Sequence, residues 1–405
     1  MSPSNRLPGL EKAGCVTLLA FMAALQFSIA AAGMLLALTT LLWLALVIRN
    51  RERIEWPAMF WPLLAYAGAT LVASLFSLDP AVSFRDSKQL VLFAIVPIAY
   101  RLLRGDRTLT AVDVIITAGA IHAVYGIVQY GILGHDNLVR RVQGLASHYM
   151  TYSGVIMLVA CAAAARILFR RQDRAWAVMV MPALVVALAL TLSRNAWVGA
   201  CAGIGTLCLL RDFRLVALLP VAVGVFVAIA PAQVTERLSS MFSLQQLART
   251  TETAGATVES NRDRIAMFRS GFRMIKDDPL TGVGPDMVIQ VYPAYRDPSA
   301  VRQLNPHLHN VPLQIAAERG LPALGIWCWF IVVLFRDFLS LKRRTAVPSL
   351  ATAGLAVVVA MLAAGLFEYN FGDSEFLMLF LVLVTLPYAA ERSAVPAVVR
   401  PPRAA

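Results

Sequence analysis

The sequence predicts an all-α, polytopic membrane protein of about twelve transmembrane helices carrying one large outer loop. Composition, block length and the placement of cations carry that expectation. Residues of the set AVILMFWYC make up 59% of the 405 and charged residues 15%, against about 45–50% and about 25% in soluble domains. The apolar residues come in blocks of about 16–24, long enough to cross a hydrocarbon core of roughly 30 Å as helices.

Twelve such blocks run at about 13–31, 33–48, 58–77, 88–103, 112–133, 149–169, 175–192, 195–210, 214–231, 310–335, 350–367 and 374–390. The first is followed almost at once by a second, so it reads as a span and not as a cleavable leader. With the N-terminus placed inside, the inner connections collect Arg49, Arg51, Arg53, Arg101, Arg104, Arg107, Arg166, Arg170, Arg171, Arg174, Arg336, Lys342, Arg343 and Arg344. The short outer connections hold only Arg85, Lys88, Arg140, Arg141 and Arg194. By the positive-inside rule both termini are cytoplasmic and the 232–309 segment faces outward. The formal charge of +12 is then mostly membrane anchoring, not a nucleic-acid footprint. All five cysteines fall inside predicted spans, where they read as small apolar residues and not as disulfide partners. The chain thus divides into 1–231 (nine spans), 232–309 (outer loop) and 310–405 (three spans and a short tail).

The outer loop is far longer than an ordinary connection. From Asn261 to Asp277 the apolar residues Ile265, Phe268, Phe272 and Ile275 recur at helical spacing, which predicts an amphipathic helix packed by that face. Asp278-Pro279 ends it, and Thr281-Gly282-Val283-Gly284-Pro285 is a tight turn. The cations Arg262, Arg269, Arg273 and Lys276 share one flank. Arg264 stands apart beside Phe268, where a guanidinium must find an anion; Asp263 or Glu259 would serve a purely structural pairing.

Candidate reactive groups cluster at outer span ends. In Asn305-Pro306-His307-Leu308-His309-Asn310-Val311-Pro312, Asn310 reads as an N-cap with Pro312 in the first turn. His309 at that helix start is the candidate proton acceptor, and the positive helix end would favour a nearby anion. His307 is either its support or the base itself. A zinc site on the two histidines lacks a visible third ligand, so no metal or other cofactor is expected. Arg194, in the short turn Thr191-Leu192-Ser193-Arg194-Asn195, offers a planar fork that suits a phosphate, although such an Arg also snorkels to headgroups. Arg85 and Lys88 are weaker versions, with Asp86 available to neutralise either. His148 sits at another outer span end. Glu318-Arg319 reads as an internal ion pair.

These residues resemble the O-antigen ligase and polymerase superfamily. The resemblance rests on Ser193-Arg194-Asn195-Ala196-Trp197, Arg264 four residues before an aromatic, Pro279-Leu280-Thr281-Gly282-Val283-Gly284, and His309-Asn310 followed by Glu318-Arg319-Gly320-Leu321. Phe268 departs from the Trp usual after the loop Arg. The resemblance implies a GT-C-like membrane fold in the inner membrane of a Gram-negative cell, with the loop and active site periplasmic. The implied donor is an O-antigen glycan on undecaprenyl diphosphate and the acceptor a lipid A–core sugar. His309 would be the base; Arg194 and Arg264, with Arg85 and Lys88 as weaker candidates, would bind the diphosphate; His307, Asn310 and His148 would support them. No metal and no nucleotide are required. An O-antigen polymerase shares this donor chemistry. A secondary transporter fits less well, because transporters usually place ionisable groups near mid-membrane.

Overall fold

The computed structural model describes residues 8–137, 139–170, 172–217, 220, 224, 231–236, 252–345 and 347–392. The expected ninth span (214–231) and most of the first part of the outer loop lie largely outside them. The described residues form helices and no strands. Among the described residues six helices are long and apolar enough to cross a membrane, so the chain is a polytopic helical membrane protein.

The helices in order are α1 (Pro8–Ala24), α2 (Ile29–Asn50), α3 (Phe60–Leu75), α4 (Pro80–Asp86), α5 (Ile95–Leu102), α6 (Arg107–Gly131), α7 (Tyr149–Phe169), α8 (Ala175–Leu190) and α9 (Arg194–Arg211). After the undescribed stretch come α10 (Glu252–Asp277), α11 (Val288–Tyr295), α12 (Val311–Arg344), α13 (Pro348–Gly365) and α14 (Ser374–Glu391). The block expected as a single span at 88–103 is not one α-helix. Ser87–Ala94 is a 3-10 turn series and only Ile95–Leu102 is α-helical. There the hydroxyl of Ser87 bonds the Ser83 carbonyl and the Ser74 hydroxyl, and the Gln89 amide reaches the Gly372 carbonyl. Polar side chains at the start of that block tie the chain to its neighbours in place of a regular span.

Helices α7, α13 and α14 form the centre of the bundle. The apolar window of α7 is 83% buried inside the protein and that of α2 only 22%, so α2 turns its apolar surface outward to lipid. Small residues let the central helices close up. A Cβ on Gly203 would meet the Ala356 carbonyl at 2.7 Å, and one on Gly199 the Ala360 carbonyl at 2.8 Å. This is the small-residue packing that membrane bundles favour.

The two ends of the bundle differ. At one, Arg101 bonds Glu52 at 2.5 Å and lies 3.5 Å from Glu11, Arg107 bonds Glu11 at 2.8 Å, and Arg392 pairs with Glu55. The start of α1 and the end of α14 therefore share this end. At the other, the described part of the long 232–309 segment builds a small core with the start of α12, from Met267, Met274, Val283, Met287, Val288, Tyr292, Leu308, Leu313 and Ala317.

That loop core corrects one expectation. Ile265, Phe268 and Phe272 are not the packed face of α10; they are exposed. The packed face is Ala266, Met267, Ser270, Gly271 and Met274, with Ile275 at its margin. A Cβ on Gly271 would approach Leu308 and Leu313 to 2.8 and 2.9 Å. Close approach through a glycine, with flexible methionines filling the gaps, decides which side packs.

A kink in α12 docks the turn after α10. Gly320 has φ 80 and ψ 169, a conformation that glycine adopts without strain. Pro322 has no N–H for the Glu318 carbonyl, and the Leu321 N–H turns away to the Pro279 carbonyl at 2.8 Å. The two carbonyls so released, Ala317 and Glu318, accept from Val283 and Gly284 at 2.9 and 3.0 Å. Beside the kink Arg319 is buried and bonds Glu318 at 2.7 Å, Asp86 at 3.3 Å and the Tyr369 hydroxyl at 3.3 Å. Asp86 therefore serves Arg319, not Arg85 or Lys88.

Candidate active site

His309 sits on a strained and pinned corner. Its φ of 49 lies in the left-handed region, which costs an L-residue about 1–2 kcal/mol. Strain of this kind persists only where the surroundings over-determine it. On one side Leu308 is buried against Gly271 and its N–H donates to the Gln314 side chain at 2.6 Å. On the other, the Asn310 side chain caps α12 by accepting from the Leu313 N–H at 2.9 Å, and its amide donates to the Leu366 carbonyl at 3.0 Å. Pro312 occupies the first turn.

The corner aims His309 at a carboxylate that the sequence reading had passed over. Nδ1 of His309 lies 2.9 Å from Oε2 of Glu368, and Nδ1 of His307 lies 3.7 Å from Oε1. The two imidazoles meet edge-to-face with centroids 4.2 Å apart. Burial alone would raise the Glu368 carboxyl, but the hydrogen bond of His309, the charge both imidazoles carry once protonated at low pH, and the Tyr369 N–H together hold it down at about 2. Burial keeps His307 neutral by lowering it to about 4, with Glu368 pulling the other way. In the tautomer whose Nδ1–H donates to Glu368, the Nε2 of His309 carries the lone pair.

A cavity of about 640 Å³ opens beside this pair, lined in part by His148, Thr151, Asn195, Arg302, His307, His309, Glu368 and Asp373. Three arginines outside that lining interact electrostatically with one another, and one of them with Glu368. Arg264 is within reach of the charges of Glu368 and Arg141, and Arg194 within reach of Arg264 and Arg141. Burial lowers the affinity of Arg264 for its proton, which Glu368 partly restores. The Arg141 guanidinium stacks 4.3 Å above the Tyr149 ring. Asp263, the structural partner weighed for Arg264, instead caps the Val301 and Arg302 amides at 2.7 and 3.0 Å.

The sequence candidates thus fall into two groups. His148, His307 and His309 line one cavity, Asn310 and Arg194 are adjacent in sequence to the lining residues His309 and Asn195, and Arg264 interacts electrostatically with the lining residue Glu368; His148 also caps α7 through the Met150 N–H at 3.3 Å. Arg85 and Lys88 are exposed and are not among the cavity-lining residues. His122 is a structural group, accepting from the Leu145 N–H at 2.9 Å. Reading missed Glu368, Asp373 and Arg141. The signal for the first two was present: Glu368-Tyr369-Asn370-Phe371-Gly372-Asp373 is a polar hairpin between the last two spans, on the same side as His309.

The missing third metal ligand also appears. Ligand atoms of His307, His309 and Glu368 lie within 4.8 Å of one another, a nitrogen–nitrogen–oxygen set that suits a transition metal. The 2.9 Å contact between His309 and Glu368 is that of a hydrogen-bonded pair.

The O-antigen ligase family model matches residues 179–328. That stretch of the chain is similar to the O-antigen ligase family. The match takes in Arg194, Arg264, the docked turn at 281–285 and the His309 corner. Glu368 and Asp373 lie beyond it, as do α13 and α14. No curated protein matches the chain.

Proposed function

We propose that the protein is an O-antigen ligase, moving a glycan from undecaprenyl diphosphate to a lipid A–core sugar on the periplasmic face of the bacterial inner membrane. This reading is supported by the His309–Glu368 pair lining one cavity, with Arg264 in electrostatic reach of Glu368 and Arg194 in reach of Arg264, from four separate stretches of chain. The bundle itself, about twelve spans in a GT-C-like arrangement with a periplasmic loop at 232–309, is part of the same proposal.

In this mechanism His309 Nε2 takes the proton of the acceptor hydroxyl. The hydroxyl oxygen forms a bond to the anomeric carbon as the bond from that carbon to the diphosphate breaks, and the configuration inverts. Glu368 orients the ring and stabilises the imidazolium, as a buried carboxylate does for a catalytic histidine. Undecaprenyl diphosphate leaves with one more negative charge than it brought. Arg264 and Arg194, with Arg141 behind them, offset that charge where it develops. His307, held neutral by burial, shapes the wall of the cavity. Because the diphosphate is already a leaving group, no nucleotide is required.

Glu368→Gln separates orientation from structure. A carboxyl held below its unfolded value, about 4.3, contributes stability that is present above that value and is lost only as the pH falls through about 2. Glu368 therefore stays ionised from pH 8 to pH 5, and activity lost over that interval does not come from its protonation. Glu368→Gln should leave the protein in the membrane and slow transfer by about 10–100-fold, the usual loss when a residue orienting an active group is changed. Full activity in that variant would remove Glu368 from the mechanism.

The decisive experiment is reconstitution of purified protein with lipid-linked glycan and rough lipopolysaccharide. Glycan-bearing lipopolysaccharide is the expected product. Longer lipid-linked glycan with no modified lipopolysaccharide would make the protein a polymerase. Transfer abolished by EDTA and restored by a divalent ion would assign His307, His309 and Glu368 to a metal instead.

A further inference from the structure

At about 100° per residue, α10 divides into three sectors. Ala266, Met267, Ser270 and Met274 pack inward on the loop core. Arg262, Arg269, Arg273 and Lys276 form a second sector, in which Arg269 and Arg273 share Asp297 at 3.6 and 3.1 Å. Between them runs an apolar stripe: Ile265 is 55% exposed, Phe268 49% and Phe272 54%. The two phenylalanines meet edge-on with centroids 4.8 Å apart. Water is a poor environment for such a surface, and exposed apolar stripes mark contact sites.

The surroundings say which contact. Three residues beyond α10, Leu280 is 73% exposed and lies against the kink of α12, beside Leu321, itself 49% exposed. From Leu321 the outward side of α12 continues through Trp329 and Val332, both exposed, along a helix of membrane-spanning length and hydropathy. The exposed end of α3 joins the same belt, since the Leu78 N–H donates to the Val283 carbonyl at 3.3 Å and Leu75, Phe76 and Leu78 are all exposed. α10 packs against α12, so the stripe and the exposed apolar flank of that span lie on adjoining helices, with exposed Leu280 at their junction. Its cationic sector lies alongside, as in helices that rest on a bilayer with an apolar side sunk about 5–10 Å and Lys/Arg at the phosphates.

We propose that α10 is an interfacial helix, lying on the outer bilayer surface with Ile265, Phe268 and Phe272 immersed among lipid acyl chains. Arg264 stands at the border between this stripe and the packed side, so immersion holds its guanidinium at the depth of a lipid-borne diphosphate. That last consequence rests on the proposed ligase reaction; the immersion does not.

The test separates the two. The five native cysteines are replaced by alanine, and Phe268→Cys or Arg262→Cys is labelled with an environment-sensitive fluorophore. Each protein is reconstituted at low protein-to-lipid ratio in phosphatidylcholine–phosphatidylglycerol vesicles containing no polyprenyl lipid. The label at 268 should emit to the blue and be quenched by lipids spin-labelled near the headgroup. The label at 262 should respond chiefly to aqueous iodide. Iodide quenching at 268 with no effect of the spin-labelled lipids overturns the proposal. So does protection that appears only at high protein density, which indicates a second copy, or only on adding polyprenyl diphosphate, which indicates a donor groove. In transfer assays, Phe268→Leu with Phe272→Leu should keep activity within about twofold, because leucine still partitions into lipid. Phe268→Asp with Phe272→Asp should lose about tenfold or more, because an ionised carboxylate is costly to immerse. Equal activity in the two pairs overturns the link between immersion and Arg264. No transfer by any form, wild type included, removes the ligase reading and leaves the quenching result standing.

Discussion

Replacing His309 by alanine is expected to lower the turnover of lipid-linked glycan by about 10²–10⁴-fold, the range a positioned general base contributes. The variant should still reach the membrane, because the corner is fixed by its neighbours: Leu308 is anchored in the loop core, Asn310 caps α12 and Pro312 opens it. The positive φ of 49 already burdens the native residue, so alanine adds little further strain. His309→Asn is the sharper control. Asparagine tolerates the left-handed region better than most residues and cannot act as a base. Both variants should lose turnover with little change in the concentration of donor needed for half-saturation. Wild-type turnover in His309→Asn, measured with purified protein and rough lipopolysaccharide, would sink the base assignment. Activity lost in His309→Ala but retained in His309→Asn would show that the residue serves the backbone alone.

The second large effect is expected at Arg264. Arg264→Ala should lower turnover by about 10²–10³-fold, as removal of one donor from a preorganised charge-stabilising site does. Arg264→Lys should recover only part of the loss, since an ammonium on a flexible stem does not reproduce a planar fork. The loss should grow as the leaving group becomes poorer, because the guanidinium works on charge that develops as the bond to the diphosphate breaks. A comparison of donors with different leaving groups reads this directly. An equal loss for all of them would make Arg264 a binding group and not a transition-state one. Among the described residues no carboxylate lies within ion-pair distance of Arg264, so the substitution does not leave a broken internal pair to confuse the result.

Much of this arrangement was legible in the chain because membranes impose simple rules. Helix α7 runs over Tyr149–Phe169, matching the block expected at 149–169, and α13 and α14 fall within about two residues of theirs. The Asn310 cap and Pro312 were readable because capping depends on neighbours in sequence. The pairing of Glu318 with Arg319 was readable for the same reason. Glu368 was harder. Nothing within several residues of it in sequence announces a histidine partner; 59 residues separate it from His309, and only the closure of the last hairpin of helices brings them to 2.9 Å.

The packed face of α10 was misjudged for an instructive reason. A hydrophobic period locates an apolar stripe, yet it cannot say whether that stripe meets protein or lipid, since both are apolar. Here close approach through Gly271 and the fit of Met267 and Met274 decided the matter. The break at 87–102 has a similar origin, because side-chain bonds from Ser87 and Gln89 to distant partners override a pattern that looks continuous along the chain.

The sequence alone determined that this is a helical membrane protein, and by its motifs pointed to the O-antigen ligase family; length, hydropathy and local capping are properties of short stretches. Tertiary structure decided which charged groups meet: Glu368 with His309, Asp86 with Arg319, and three arginines from distant stretches within reach of one another's charge. Such meetings depend on how helices pack and kink, and in a bundle where lipid and protein interior are equally apolar, close packing and buried polar contacts fix that arrangement.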